Sequence, residues 1–221
     1  VIDIYQGAGF ATLALEAKKD HVQRYGVGSD YQRGSSQAWT EKAQPLVKTY
    51  LSELAQHFHA SAQKSKAPGD VKEATHWYRT LLTSFPSDSK AADNRFLLAE
   101  LLQGDGRLPE AATEFEKTAY GYPAHARSAD AGYAALLAHT ELATRADAAA
   151  APNMQRTAVN SAVQFADKFP SDARGPSVLT YAADKLFLLR DAAGASKLAQ
   201  RVLDAGPSVA PEHRKVAWTV L

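Results

Sequence analysis

The chain has 221 residues, 45% of them apolar, with 25 basic and 24 acidic side chains and no cysteine. That length supplies one compact domain or one short solenoid with a sizeable core. A formal net charge of +1 argues against nucleic-acid binding through bulk electrostatics, and zero cysteines exclude disulfides, thiolate metal sites and a cysteine nucleophile.

A first helix is predicted over residues 2–24, with Ile4, Ala8, Ala11, Leu15 and Val22 apolar, ending at Gly26. Residues 25–36, YGVGSDYQRGSS, read as a polar, glycine-rich loop. A second long helix is predicted from near Pro45, a residue suited to a first helical turn, through Leu46, Tyr50, Leu54 and Phe58 to about Lys66. From residue 67 on, amphipathic stretches alternate with short polar breaks. Ala92, Phe96, Ala99 and Leu102 share one stripe, and so do Leu108, Ala111, Ala112, Phe115 and Ala119. Gly104-Asp105-Gly106 separates these two helices, because glycine tolerates the positive φ of a helix end. The alanine-rich stretch 144–153 predicts two lengthened helices with a turn at Pro152-Asn153. No period-two alternation or hairpin dipeptide occurs, so no sheet is predicted. The apolar runs are too short for a transmembrane helix. Both ends read as cut, since Val1-Ile2-Asp3-Ile4-Tyr5 is already periodic and Val216–Leu221 stops within an apolar run. A fragment of a longer chain is expected, with any targeting signal or lipid anchor outside it.

Three segments align by eye: Phe85-Pro86-Ser87-Asp88-Ser89-Lys90, Tyr122-Pro123-Ala124-His125-Ala126-Arg127 and Phe169-Pro170-Ser171-Asp172-Ala173-Arg174, with a weaker fourth at Gly206-Pro207-Ser208. The prolines lie 37, 47 and 37 residues apart, a period characteristic of helical solenoids. Ser87 and Ser171 read as N-caps of the helices that follow. The aromatics before the prolines, Phe85, Tyr120, Tyr122 and Phe169, are expected to wedge between repeats.

This pattern resembles the tetratricopeptide repeat (TPR), a helix-turn-helix unit of about 34 residues. Leu98 and Ala99 stand at its first-helix leucine and small positions, Ala111 and Phe115 at its second-helix alanine and aromatic, and Pro123 at its closing proline. The preceding copy has Gly69-Asp70 at the turn, then Ala74, Tyr78 and Pro86; later copies keep Ala158 with Pro170 and Ala195 with Pro207. The first-helix tryptophan is missing, and Ala62, Ala99, Leu136 and Ala183 replace the packing glycine. The resemblance covers roughly residues 55–221. It implies an all-α, right-handed α-α superhelix of about four helix pairs, residues 67–221, preceded by two long helices in residues 1–66, as one continuous solenoid. Such loosened repeats are similar to those of bacterial outer-membrane assembly lipoproteins and of motility and secretion complexes. A periplasmic or envelope location is therefore expected over a cytoplasmic one.

Motifs for chemistry are sparse. No phosphate-binding loop, dinucleotide fingerprint or nucleophile elbow is present. His57 and His59 on one helix point about 200° apart and cannot share a metal; His76 on the next helix could approach one of them. His125 is expected to cap a helix N-terminus, whereas His21, His139 and His213 have no partner legible in the sequence. Glu110, Glu114 and Glu116 read as a solvated face. No enzyme activity, metal or cofactor is expected.

In the family the first helices line the concave side. The matching positions here are His59 and Gln63; Asp93, Phe96, Glu100 and Gln103; Asp130, Tyr133, Leu137 and Thr140; and Ser177, Thr180, Asp184 and Phe187. Phe96 and Tyr133 occupy the same repeat position, as peptide anchors or as packing between first helices. Asp93, Glu100, Asp130 and Asp184 predict an acidic groove that favours a basic or amphipathic partner. The expected role is a protein-interaction scaffold holding a protein or peptide segment. The alternative is a structural spacer of a larger enzyme or receptor, without binding activity of its own.

Overall fold

The computed structural model describes residues 1–207 and 209–221; Ser208, part of the weak fourth repeat, lies outside the described residues. The fold is all-α, with no strand among the described residues. Two compact units, Val1–Leu101 and Leu102–Leu221, divide the chain.

The first unit opens with α1 (Ile2–Gly7) and α2 (Ala11–Tyr25). The single helix expected over residues 2–24 is broken between them, where Gly9 takes φ +79°, a left-handed conformation open to glycine at little cost. The expected loop 25–36 contains a short helix, α3 (Asp30–Gly34), because Ser29 Oγ accepts from the Gln32 backbone N–H at 3.2 Å. A short α4 (Ser36–Ala38) and a π-helical turn, Trp39–Ala43, lead into α5 (Gln44–Ser65), which carries Pro45 in its first turn. Trp39 is buried and its indole N–H donates to the Tyr25 carbonyl at 2.6 Å.

The apolar face of α5, including Val47, Leu51, Leu54, Phe58 and Ala62, is buried, and α5 packs against α2 and α6 (Pro68–Ser84). The break between α5 and α6 falls at left-handed Lys66 (φ 53°) and Ala67, so Gly69-Asp70 is not the turn. Both residues belong to the first turn of α6, where the Asp70 carboxylate accepts from Ser61 Oγ (2.8 Å) and Ser65 Oγ (2.7 Å). The next helix, α7 (Ala91–Gly104), contains the unit boundary.

The second unit contains α8 (Leu108–Tyr120), α9 (Ser128–Arg145), α10 (Ala151–Lys168), α11 (Gly175–Leu188), α12 (Ala192–Asp204) and α13 (Pro211–Val220). Each packs on the next in sequence, and α13 also reaches α11. Alanines fill much of this core, so helices approach closely. Gly132 of α9 marks the tightest place: an added Cβ would meet Phe169 and the Tyr120 hydroxyl at 3.0 Å. Tyr120 and Phe169 stack with ring centroids 6.1 Å apart, as expected of wedging aromatics.

Several local expectations are corrected. Ser87 and Ser171 are not caps. The following aspartates brace the turn ahead of each helix, Asp88 accepting from the Lys90 N–H and Asp172 from the Arg174 N–H, both at 2.9 Å; an ionised acceptor makes the stronger bond. The α9–α10 connection is residues 146–150, and Pro152 sits in the first turn of α10, where a missing N–H costs nothing. The positions that carry the TPR resemblance in the second helices, Ala74 and Tyr78, Ala111 and Phe115, Ala158 and Ala195, are all buried.

Candidate functional site

The expected groove residues separate into buried, ion-paired and exposed groups. His59 is buried. Its Nδ1 lies 3.0 Å from the Tyr78 hydroxyl and its Nε2 3.0 Å from Gln63 Nε2. The Gln63 amide nitrogen can only donate, so Nε2 accepts and the Nδ1–H donates to Tyr78. Burial lowers the His59 pKa below its ordinary 6.5, opposed by the Glu100 carboxylate. Burial, with Glu100, pushes Tyr78 up to about 12. His59 is therefore a neutral core histidine, not a groove residue. Phe96 is also buried, which decides for packing, whereas Gln63, Asp93 and Glu100 are exposed.

In the second unit Arg174, the N-cap residue of α11, organises the surroundings of Tyr133. Its guanidinium lies 4.8 Å from the Tyr133 ring centroid and 5.3 Å from that of Phe165. It donates to both Asp172 oxygens (2.8 and 2.7 Å) and to Asp130 Oδ1 (3.0 Å). The hydrogen bond from Arg174 holds the Asp172 carboxyl below its ordinary range. Tyr133 is thus covered by a cation, and Asp130 is neutralised across 44 residues of sequence. Thr180 is buried and donates to the Pro176 carbonyl at 2.8 Å. Asp184 lies 3.4 Å from the Lys185 ammonium.

Large apolar side chains also stay exposed on this unit. Leu137 is 47% exposed, Phe187 50%, Leu188 63%, Trp218 65% and Leu221 51%. These residues lie on α9, on α11, and on or directly after α13. The intervening helices α8, α10 and α12 expose one large apolar side chain among the described residues, Met154. The α9 and α11 faces meet where Thr140 Oγ1 lies 3.4 Å from the Tyr181 hydroxyl. Sequence reasoning reached Leu137 and Phe187 but missed Tyr181, Leu188, Trp218 and Leu221. The repeat offset carried the signal: Trp218 follows Tyr181 by the same 37 residues that separate Pro170 from Pro207.

Two further histidines make structural contacts. His139, expected to lack a partner, lies 2.8 Å from Glu116. His125 accepts from the Arg127 N–H through Nδ1 at 3.3 Å, leaving Nε2–H to donate to the Thr118 carbonyl at 3.0 Å. Glu110 pairs with Arg107, and Glu114 with Lys117. A cleft of about 560 Å³ in the first unit is lined by Glu16, Lys19, Asp20, Glu73, His76 and Trp77, with Lys19 already bridging Glu16 and Glu73. Among the described residues no group of His, Cys, Asp and Glu converges as metal ligands, and no helix is long and apolar enough to cross a membrane. No known protein family matches the chain, and no curated protein does.

Proposed function

We propose that the chain is a TPR-like repeat scaffold, a right-handed α-α superhelix that holds a protein or peptide segment on its first-helix face, within a bacterial envelope complex. One observation carries the binding reading: in the second unit the exposed large apolar residues gather on α9, α11 and α13, and the alternate helices are almost free of them. A solvated spacer has no reason to segregate apolar side chains this way, whereas exposed apolar patches mark interaction sites. Burial of the second-helix alanine and aromatic positions supports the repeat architecture. The proposal assigns no catalysis and no cofactor. The spacer reading draws its support from Phe96 and His59, whose burial removes two expected groove residues.

The test is selection of a random-peptide display library on the immobilised chain, in parallel with a Leu137→Glu/Phe187→Glu variant whose helicity is verified by circular dichroism. Peptides enriched on the parent and lost on the variant are expected. Absence of enrichment, or equal enrichment on both, would favour the spacer.

A further inference from the structure

A cavity of about 320 Å³ lies in the first unit, between α2 and α5. Ala11, Ala14, Leu15 and Lys18 line it from α2, at spacings that put them on one helix face. Glu53 and His57, four apart on α5, line it from the other side. Lysine is seldom as deeply buried as Lys18, which is 8% exposed. Its ammonium lies 2.7 Å from Glu53 Oε2 and has no other partner among the described residues, although an ammonium carries three donors. Glu53 Oε2 is itself buried and accepts no hydrogen bond, so the two groups meet as charges without hydrogen-bond alignment. Buried polar groups in native proteins are paired, and a buried donor and acceptor left over on one cavity wall call for a common partner.

We infer that this cavity binds a free α-amino acid with a small apolar side chain. The ligand carboxylate accepts from the Lys18 ammonium, the ligand ammonium donates to Glu53 Oε2, and the side chain rests on Ala11, Ala14 and Leu15. The charge pattern selects a zwitterion. One cation and one anion line the cavity, beside the exposed imidazole of His57. A simple anion gains from Lys18 and is repelled by Glu53, and a simple amine meets the reverse. A zwitterion satisfies both groups without opening the ion pair or changing the net charge of the pocket. The volume stands at the lower end of small-molecule sites, which span about 300–1,000 Å³. It suits a ligand of amino-acid size and is too small for a nucleotide. The site is separate from the docking reading above, which concerns helices of the other unit.

The experiment is calorimetric titration of the full chain with L-alanine, L-valine and L-leucine, and with isovalerate and isobutylamine. The last two are valine without its amine and valine without its carboxylate. L-Valine is expected to bind, and each single-charge analogue to bind about tenfold more weakly. Ala11→Phe, at an exposed lining position, fills the cavity and should abolish binding while circular dichroism stays unchanged. Glu53→Gln removes the anion and should erase the selectivity, so that isovalerate binds as well as L-valine.

No binding of any of the three amino acids at up to about 10 mM would overturn the inference. Equal binding of isovalerate and L-valine to the parent chain would overturn it in favour of a plain anion site. Binding unaltered by Ala11→Phe would overturn it by placing the ligand elsewhere on the chain.

Discussion

The first unit buries Trp39, Phe58, Trp77 and Tyr78 together with the ammonium of Lys18 and the imidazole of His59. In the second unit Phe115 and Phe165 sit among alanines, and the buried polar residues are the hydroxyl-bearing Thr118, Ser128, Ser161 and Thr180. Thr118 and Thr180 return their hydrogens to carbonyls four residues back on their own helices. A hydroxyl satisfied within its own helix asks nothing of its neighbours, so small side chains can repeat from helix to helix. A buried imidazole or ammonium needs a partner on another element: His59 has Tyr78, and Lys18 has Glu53 at 2.7 Å. The first unit thus ties its packing to protonation, and the second ties it to shape.

That contrast can be broken most strongly at Phe165, which is fully buried and lies near Tyr133 and Phe169. Phe165→Ala is expected to destabilise the second unit by about 3–5 kcal/mol. Hydrogen exchange read by mass spectrometry should show protection lost in α9–α11 and kept in α5–α6. Next in size is Tyr78→Phe, which leaves the His59 N–H without its acceptor and costs the first unit about 1–3 kcal/mol, seen as the reverse exchange pattern.

Acid separates the units without any change at the shape-based core. The folded pKa of His59 lies below its unfolded 6.5 through burial, so the unfolded state binds the proton more readily. Its contribution is fully present above 6.5 and is lost as pH falls from there through the lower folded value. His21 adds to this with the same sign, its pKa also lowered by burial. Asp172 in the second unit is depressed from 3.8 by its bond to Arg174. Its contribution holds above 3.8 and is lost only below. In a Trp218→Phe variant, tryptophan emission reports the first unit alone. That signal should begin to move in mildly acidic buffer, while exchange protection in α9–α11 persists into the carboxylate range. The smallest effect belongs to Arg145→Ala, which removes an exposed pair with Glu141 on α9. A thermal melt should shift by no more than about 0.5 kcal/mol equivalent.

Helical periodicity sufficed to place α7 and α8, because their apolar stripes are set by local spacing. The breaks were less legible where backbone geometry decided them. Gly9 splits α1 from α2, and Lys66 turns left-handed just before Pro68, although neither stands out in an amphipathic pattern. In the Pro-Ser-Asp turns the serine looks like the cap, yet it is the carboxylate one residue later that braces the turn, accepting from the backbone N–H two residues on. The candidate site was legible as a set of helix faces and not as a set of exposed residues. Tyr133 shares its repeat position with Phe96, but its exposure depends on Arg174, which arrives from the next helix-turn. No local pattern announces a partner so far along the chain, and the same gap hid the pairing of Asp130.

The connection at 146–150 joins two helices of 18 residues each. Asp147 folds it locally by accepting from the N–H groups of Ala149 (3.0 Å) and Ala150 (2.8 Å), so the link is held by its own carboxylate and not by the core. Doubling the length of such a loop costs only about 0.6 kcal/mol in closure entropy. Residues 147–149 are exposed. This connection is accordingly a graft point: an epitope or a small foreign domain inserted after Ala148 has solvent on its outer side and leaves the hydrogen-bond ladders of both flanking helices intact.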